Sequence, residues 1–343
     1  MTHLAMALAL LVAADPAEPA SMTVAPTPVI FDTDLGNDVD DALAMGMLHA
    51  LADRGECELL AVTCTKAHPL AAPLADAINT FYGRPDIPVG AVSIDGVLNG
   101  PTPAEGRFLK LANATNADGS LRFPHDLSHD PANVPDAVTV LRRALADAAD
   151  GTVEVVQVGF STNLARLLDS PPDAISPLSG RDLAAQKVAR LAIMAGDFGG
   201  GGPEYNVRED RDAAAKLAND WPTPIDWSGF KIGVALPYPP ESIDRDYRYA
   251  AAHPLPESYQ LYKPTPHARP TWDLTAALLA VRPDRGYFHF SELGRVTVEA
   301  DGRTTFAPSA GGPHRVFLPP TDEERSRILA TFETLCSQPP RGR

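Results

Sequence analysis

The sequence predicts an α/β fold, because short β-prone segments alternate with segments whose apolar residues recur at helical spacing. Residues 29–31 form the first β-prone run, and residues 41–52 form the first helical pattern. The alternation continues through residues 58–65, 71–82 and 88–91. Parallel strands that are joined by crossover helices have this order of elements. We therefore expect an open, mostly parallel sheet that is flanked by helices.

Later segments extend the predicted sheet and add a different unit at its end. Further strands are expected at residues 153–158, 188–194 and 232–236, and further helices at residues 136–149, 212–220 and 271–281. Asp301-Gly302 separates two short alternating runs, which is typical of a β-hairpin. Residues 321–336 are expected to form a terminal helix. The sequence thus predicts one Rossmann-like α/β domain over residues 29–343, with a small C-terminal β-hairpin.

Residues 1–28 precede this predicted domain and have a different composition. Residues 4–14 are apolar, which is far short of the roughly 20 residues that span a bilayer. Small residues follow the apolar run, as in a signal peptide, but no Lys or Arg precedes it. We interpret residues 1–28 as a signal peptide or disordered leader with a linker. A cleaved signal peptide predicts a secreted or periplasmic protein, and the alternative is a cytoplasmic one.

The charge of the chain limits its partners. Its 343 residues include 29 basic and 44 acidic side chains, which give a net charge of −15. Nucleic acids and anionic membranes require clustered Lys and Arg, so both are excluded as expected partners. A neutral small molecule or a metal cation fits this charge.

Five aspartates lie within the ten positions 32–41, between the first predicted strand and the first predicted helix. We call this segment the acidic cluster. Ligands of open parallel sheets bind at such strand-to-helix turns. Helix capping explains one or two aspartates there, but carboxylates this close repel one another unless a cation is present. Without nearby His or Cys they suit Ca²⁺ or Mg²⁺, and because the spacing is not that of an EF-hand, further ligands must come from elsewhere.

The acidic cluster resembles the signature of the inosine–uridine nucleoside hydrolase family. The usual core of that family is Asp-x-Asp-Pro-Gly-x-Asp-Asp-Ala, and here the segment from Asp32 to Ala42 has two extra residues before the paired Asp. Further matches follow in the same order as in the family. They are Val158-Gly159-Phe160-Ser161-Thr162-Asn163-Leu164, Ile193-Met194-Ala195-Gly196-Asp197, Glu204-Tyr205-Asn206-Val207 and Trp272-Asp273.

The resemblance implies a set of metal ligands. The carboxylates of Asp34, Asp41 and Asp273 and the carbonyl of Val158 are expected to bind Ca²⁺. Asp34 is also expected to take the proton from the attacking water. Asp32 is expected to support the ligand loop from behind, and Asn163 to lie in the same supporting layer.

The resemblance also implies residues that hold the sugar. Asp40, Glu204 and Asn206 are expected to bind ribose hydroxyls. Because of the two-residue insertion, Asp38 is an alternative to Asp40. His68 stands where the family usually has an Asn that contacts ribose or a metal-bound water, so it is a further candidate.

The leaving-group side departs from the pattern of many family members. They carry a His just before the last Asp, where it protonates the departing base, and this chain has Trp272 there. An indole is not a general acid near neutral pH, so Trp272 points to an aromatic leaving group that is activated by stacking. Stacking requires a second aromatic side chain. Tyr205, Phe198, Tyr82 and Phe108 are the candidates, and His267 is an alternative acid.

These observations predict a Ca²⁺-dependent hydrolase that releases the base of a ribonucleoside, with a purine favoured. Cleavage of a ribosyl bond passes through an oxocarbenium-like transition state, which dense carboxylates stabilise. The alternatives are a hydrolase of another ribosyl-type bond and a non-catalytic protein that binds sugar or Ca²⁺. The expected partner is a small-molecule nucleoside, and the expected assembly is a homodimer or homotetramer.

Overall fold

The fold was examined in a computed structural model, which describes residues 25–92, 105–128, 130 and 133–341. The predicted signal peptide lies outside the described residues. The strands are β1 (Thr27–Thr33), β2 (Cys57–Cys64), β3 (Val89–Ala91), β4 (Val153–Gln157), β5 (Val188–Met194), β6 (Ile225–Ser228), β7 (Gly294–Val298), β8 (Thr304–Pro308) and β9 (His314–Val316). Two 3₁₀ helices cover Glu105–Asn113 and Pro283–Arg285.

The helices lie between these strands and after the last of them. They are α1 (Asp40–Asp53), α2 (Ala71–Phe81), α3 (Ala137–Asp147), α4 (Thr162–Asp169), α5 (Gly180–Lys187), α6 (Tyr205–Glu209), α7 (Arg211–Asp220), α8 (Phe230–Val234), α9 (Ser242–Arg245), α10 (Pro254–Tyr262), α11 (Trp272–Val281) and α12 (Asp322–Cys336). None of the helices in the described part of the chain is long and apolar enough to cross a bilayer.

The strands form a nine-stranded sheet in the order β3-β2-β1-β4-β5-β6-β9-β7-β8. Neighbouring strands from β3 to β9 run parallel, and β7 pairs antiparallel with both β8 and β9. Apolar clusters cover both faces of the sheet. The predicted Rossmann-like α/β architecture with a C-terminal hairpin is therefore confirmed. The predicted single domain over residues 29–343 stays a prediction.

One predicted strand is wrong. Residues 232–236 were expected to be extended, but Phe230–Val234 is a short helix and Ile225–Ser228 is the strand. The run Ile232-Gly233-Val234 is apolar in either state, and such short runs do not distinguish a strand from a buried helical turn. Trp227 is fully buried on β6. Burial of this side chain in the folded protein therefore favours residues 225–228 as the strand.

Candidate active site

A cavity of about 200 Å³ opens where the central strands end. Asp34 follows β1, Val158 follows β4, and Met194 is the last residue of β5. The N-termini of α1 and α11 point at the same cavity, which brings residues more than 200 positions apart to one site. This is the carboxyl edge of the parallel strands, where open α/β sheets bind their ligands.

Three carboxylates converge inside the cavity. One oxygen each of Asp40, Asp41 and Asp273 lies within 4.8 Å of the other two, and all three side chains are buried. We call them the three-carboxylate group. Asp40 and Asp41 open α1, and Asp273 lies in the first turn of α11, where its backbone N–H donates to Asp40 Oδ2 over 3.1 Å. The group therefore joins the acidic cluster to the far end of the chain.

The buried, mutually repelling carboxyls of the three-carboxylate group favour the binding of a cation. Burial, followed by repulsion from neighbouring aspartates, raises the pKa of each of the three carboxyls well above its usual range. Asp41 Oδ1 accepts a hydrogen bond from the Thr33 hydroxyl, whereas its Oδ2 is buried and has no partner among the described residues. An orphaned oxygen among hard oxygen donors fits Ca²⁺ or Mg²⁺.

Asp34 lines the same cavity but stands beside the three-carboxylate group. Its Oδ2 accepts from the Asn37 amide, and Asn37 Oδ1 in turn accepts from the Lys66 ammonium. Burial raises the pKa of Asp34 to about 6, although Asn37 and the Lys66 charge act in the opposite direction. Asp34 is thus a buried base whose orientation is set by a neighbouring amide and a buried lysine.

The predicted sugar-binding residues Glu204 and Asn206 line the cavity beside Val158. The Asn206 amide donates to the Val158 carbonyl over 2.7 Å and to the Met194 carbonyl over 3.1 Å. Glu204 caps α6 by accepting from the backbone N–H groups of Asn206 and Val207, and its pKa is raised to about 7 by burial. These bonds lock the loop that follows β5 onto the end of β4.

Asp32 and Asn163 lie behind the cavity. Asp32 is fully buried and accepts hydrogen bonds from the Thr63 hydroxyl over 2.5 Å and from the Asn163 amide over 2.8 Å. Burial raises the pKa of Asp32 to about 7. The two residues connect β1, β2 and α4 directly beneath the acidic cluster, and their supporting role stays a prediction.

His68 lies away from the cavity wall in the described part of the chain. Its Nδ1 accepts from the backbone N–H of Leu70 over 3.1 Å. This local turn holds the half-buried imidazole against its own backbone, so the structure gives no support to the predicted contact of His68 with ribose.

Aromatic side chains also line the cavity. Trp272 stacks on Phe230 with ring centroids 5.5 Å apart, and its Nε1 donates to the Phe230 carbonyl over 2.8 Å. A Cβ on Gly233 would lie only 2.2 Å from the indole, so the glycine lets α8 pack directly against it. Tyr205 and Tyr262 also line the cavity. The indole is therefore fixed in place beside the three-carboxylate group.

Three of the predicted stacking partners of Trp272 lie elsewhere. Phe108 is fully buried in the core, Tyr82 stacks on His49, and Phe198 packs edge-on against Trp227. Phe230, which stacks directly on Trp272, was not among the predicted partners, because it lies in the segment that was expected to precede a strand.

Asp38 is paired with a cation instead of being free for a sugar. Its carboxylate accepts from Nε and Nη2 of Arg269, and both residues line the cavity. The predicted alternative role of Asp38 in ribose binding would require this ion pair to open. Arg269 and Lys66, the two cations that contact the inserted residues Asp38 and Asn37, were not predicted.

Comparison with known proteins identifies the family and the fold. A family model described as inosine-uridine preferring nucleoside hydrolase matches residues 29–327. The chain belongs to this family. The matched range contains every residue that lines the cavity.

The chain is also similar to individual proteins. An uncharacterized protein of Schizosaccharomyces pombe is 30% identical over 194 residues, which cover 54% of this chain and 56% of that protein. The match thus spans little more than half the length of this curated relative. Among solved structures, a plant nucleoside hydrolase has a TM-score of 0.69 at 22% identity, covering 92% of this chain and all of the other. A purine-preferring ribonucleoside hydrolase from Gardnerella vaginalis has a TM-score of 0.67 at 19% identity, with 90% and 98% covered. The two solved structures show the shared fold.

In this nucleoside hydrolase fold, Gly159 lies directly behind Asp34. A Cβ at residue 159 would lie 2.5 Å from the Asp34 backbone nitrogen and 2.7 Å from the Thr33 carbonyl carbon. Backbone cannot yield as a flexible side chain does, so Gly159→Ala is expected to displace Asp34 and to lower both stability and Ca²⁺ affinity. Thermal unfolding and a calcium titration measure the two effects. Gly201→Ala, which has no atom within 4 Å of its added Cβ, is the control; equal behaviour of the two variants would contradict the prediction.

The buried carboxyls of this nucleoside hydrolase fold also predict how Ca²⁺ stabilisation depends on pH. The pKa values of Asp34 (about 6) and of Asp32 and Glu204 (about 7) are above the ordinary 3.8 or 4.5. Raised carboxyl pKa values stabilise the metal-free fold at low pH, and this stability is lost as the pH rises through about 7. A divalent cation held by Asp34 would compete with the proton of that carboxyl. The Tm increase caused by Ca²⁺ is therefore expected to be large at pH 8 and small at pH 5.

Buried histidines act with the opposite sign, so a single pH scan is not enough. Burial lowers the pKa of His49 to about 3 and of His314 to about 4, and their contribution to stability is lost as the pH falls. The histidine contribution to stability is the same with and without metal. It therefore cancels when the Tm of EDTA-treated protein is subtracted from the Tm of calcium-loaded protein. A Ca²⁺ effect that is independent of pH would contradict the prediction.

Proposed function

We propose that this protein hydrolyses the N-glycosidic bond of ribonucleosides in a Ca²⁺-dependent reaction, with a purine as the favoured leaving group. The observation that carries the proposal is the convergence of three buried carboxylates, with one orphaned oxygen, in a cavity that aromatic side chains also line. A nucleoside combines a polar sugar with a planar base, which match the carboxylates and the aromatic side chains of the cavity. Membership of the nucleoside hydrolase family supports the reaction type.

Ca²⁺ is proposed to be held by Asp41, Asp273, the Val158 carbonyl and Asp34. When bound, the ion supplies positive charge that lowers the pKa of a coordinated water and fixes sugar hydroxyls. Mg²⁺ is the alternative, and it requires stricter octahedral geometry than Ca²⁺. The orphaned oxygen of Asp41 is the structural feature that favours a resident cation of either kind.

The side chains of the protein supply the remaining chemistry. Asp34 accepts a proton from the attacking water, and the Asn37 amide keeps the receiving carboxylate in orientation. The buried carboxylates stabilise the positive charge that develops on the sugar ring. Asp40, Glu204 and Asn206 are proposed to hold the hydroxyls, because each lines the cavity close to the metal side.

Trp272 and Phe230 supply the surface for the base. The indole is fixed by stacking on Phe230 and by its bond to the Phe230 carbonyl, so the base is proposed to bind beside a preordered aromatic wall. A purine offers a larger stacking surface than a pyrimidine, which supports the purine preference. The structurally similar hydrolase from Gardnerella vaginalis is described as purine-preferring, which also supports a purine preference.

The direct test is a base-release assay with inosine, guanosine, adenosine, uridine and cytidine, in Ca²⁺ and after EDTA treatment. We expect hydrolysis of the purine nucleosides in Ca²⁺, loss of activity in EDTA and recovery when Ca²⁺ is restored. Asp34→Asn is expected to bind nucleosides and hydrolyse them at least about 1000-fold more slowly, since it lacks the base.

Other outcomes of the same assay would replace the proposal. Activity on ribosyl compounds without a nucleobase, and none on nucleosides, would assign the protein to another ribosyl bond. Binding of nucleosides without hydrolysis by the unmodified protein, and equal binding by Asp34→Asn, would make it a non-catalytic binding protein.

A further inference from the structure

Arg269 lies next to two of the aromatic side chains that line the cavity. Its guanidinium carbon lies 5.0 Å from the Trp272 ring centroid and 5.1 Å from that of Tyr262. Nε donates to both oxygens of Asp38, at 2.9 and 3.0 Å, and Nη2 donates to Oδ2. Two rings and one carboxylate thus fix the plane of a group that is otherwise flexible.

One edge of this guanidinium remains available to a ligand. Nη1 has no acceptor among the described residues, and the Arg269 side chain is 30% exposed while it lines the cavity. Among the described residues that line the cavity, Arg269 is the only cation. A planar donor with permanent positive charge therefore lies in the cavity in which the base is proposed to bind.

The reaction requires such a group. When the bond between the anomeric carbon and the base nitrogen breaks, the electron pair stays on the base. The indole of Trp272 cannot supply a proton, and its N–H is already bonded to the Phe230 carbonyl. His267 is turned away, since its ring stacks on Tyr259, its Nδ1 lies 3.2 Å from the Pro264 carbonyl and its Nε2 is buried. Neither side chain neutralises the departing base.

We propose that Arg269, oriented by Asp38, stabilises the negative charge on the departing base by a hydrogen bond from Nη1. This inference rests on the proposed nucleoside hydrolysis. The attacking water adds its oxygen to the anomeric carbon and gives one proton to Asp34. The base leaves as an anion bonded to Arg269 and takes a proton from solvent after release, so Arg269 remains protonated throughout. Asp38 is a positioning residue, and Arg269 is a catalytic residue that does not transfer a proton.

The proposal is tested by comparing two substrates that differ in how much help the leaving group needs. Inosine loses a poor leaving group, whereas 4-nitrophenyl β-D-ribofuranoside loses a stable phenolate. Arg269→Met is expected to lower kcat/KM for inosine about 100-fold more than kcat/KM for the nitrophenyl riboside. In other enzymes, removal of one donor that stabilises a developing negative charge lowers the rate by about this factor. Arg269→Lys keeps the charge, and the difference between its losses of kcat/KM on the two substrates is expected to be smaller.

Asp38→Asn separates positioning from sugar binding. If Asp38 orients Arg269, the variant lowers the inosine rate more than the nitrophenyl riboside rate, and mainly through kcat. If Asp38 binds ribose, both substrates lose equally, which would overturn its proposed role. Arg122→Met is the matched control, because Arg122 also pairs with a carboxylate, Glu257, and lies over a ring, Phe123, but away from the cavity.

The outcomes distinguish this inference from the proposed function. Equal losses on both substrates in a folded Arg269→Met protein, with an unchanged Tm, would overturn the role of Arg269 while nucleoside hydrolysis stands. Should the unmodified protein release base from no nucleoside, the proposed function fails and this inference fails with it. Arg269→Lys keeps the test decisive if Arg269→Met does not fold.

Discussion

Asp41→Asn is expected to abolish Ca²⁺ binding in the micromolar range and to lower nucleoside hydrolysis by at least about 1000-fold, or about 4 kcal/mol of transition-state stabilisation. Asp41 is the residue of the three-carboxylate group with a buried, unpartnered oxygen. An asparagine keeps the shape but removes the charge and half of the oxygen donors. A hard cation loses its anionic ligand as a result.

The same substitution is expected to stabilise the metal-free protein, which separates lost binding from lost folding. Burial and the neighbouring aspartates raise the pKa of Asp41, so an uncharged side chain relieves repulsion in the absence of metal. Calorimetric Ca²⁺ titration, initial rates and Tm in EDTA measure the three effects. Asp212→Asn, at a side chain that is 95% exposed, is the control. Unchanged Ca²⁺ affinity in Asp41→Asn would contradict the metal assignment.

Asp226→Asn is expected to have the largest effect on stability, lowering the free energy of unfolding by about 3 kcal/mol. Asp226 is 2% exposed on β6 and accepts two hydrogen bonds from Arg315 of β9, at 2.8 and 2.7 Å. Arg190 of β5 reaches it over 3.4 Å and also forms a two-point ion pair with Glu154 of β4. The charges thus alternate across four neighbouring strands.

Removing the central anion leaves Arg315 without a counterion among the described residues, while Arg190 keeps only its pair with Glu154. A buried ion pair that loses one partner costs far more than an exposed pair, because the remaining charge cannot be fully hydrated. Partial exposure of Arg315, at 33%, places the expected loss at the lower end of the usual range. Urea unfolding measures it, with Asp301→Asn in the exposed pair with Arg303 as the control. A loss no larger than that of the control would contradict the prediction.

Local sequence patterns were sufficient for much of the fold. Helix α1 begins at Asp40 as predicted, because acidic residues followed by an apolar repeat fix its start. The Asp301-Gly302 turn fixed the β7–β8 hairpin, with Gly302 at a positive φ of 86°. In contrast, the strand β6 was misplaced, since its four residues alternate too briefly to compete with the apolar run that follows.

The site was predictable where the family signature extends and unpredictable elsewhere. Asp34, Asp41 and Asp273 lie in quoted motifs, and the structure brings all three to one cavity. The contacts of the inserted residues were not predictable from spacing. Asn37 meets Lys66 and Asp38 meets Arg269 because chain segments about 30 and 230 residues apart fold together. Such pairings depend on tertiary packing, which no local pattern encodes.

A crystal structure of the protein grown with Ca²⁺ tests the central claim most directly. We expect one ion in the cavity, with oxygen atoms of Asp34, Asp41, Asp273 and the Val158 carbonyl at about 2.3–2.6 Å. An empty cavity at saturating Ca²⁺, or an ion that is bound without Asp41 and Asp273, would contradict the assignment of Asp41 and Asp273 as metal ligands.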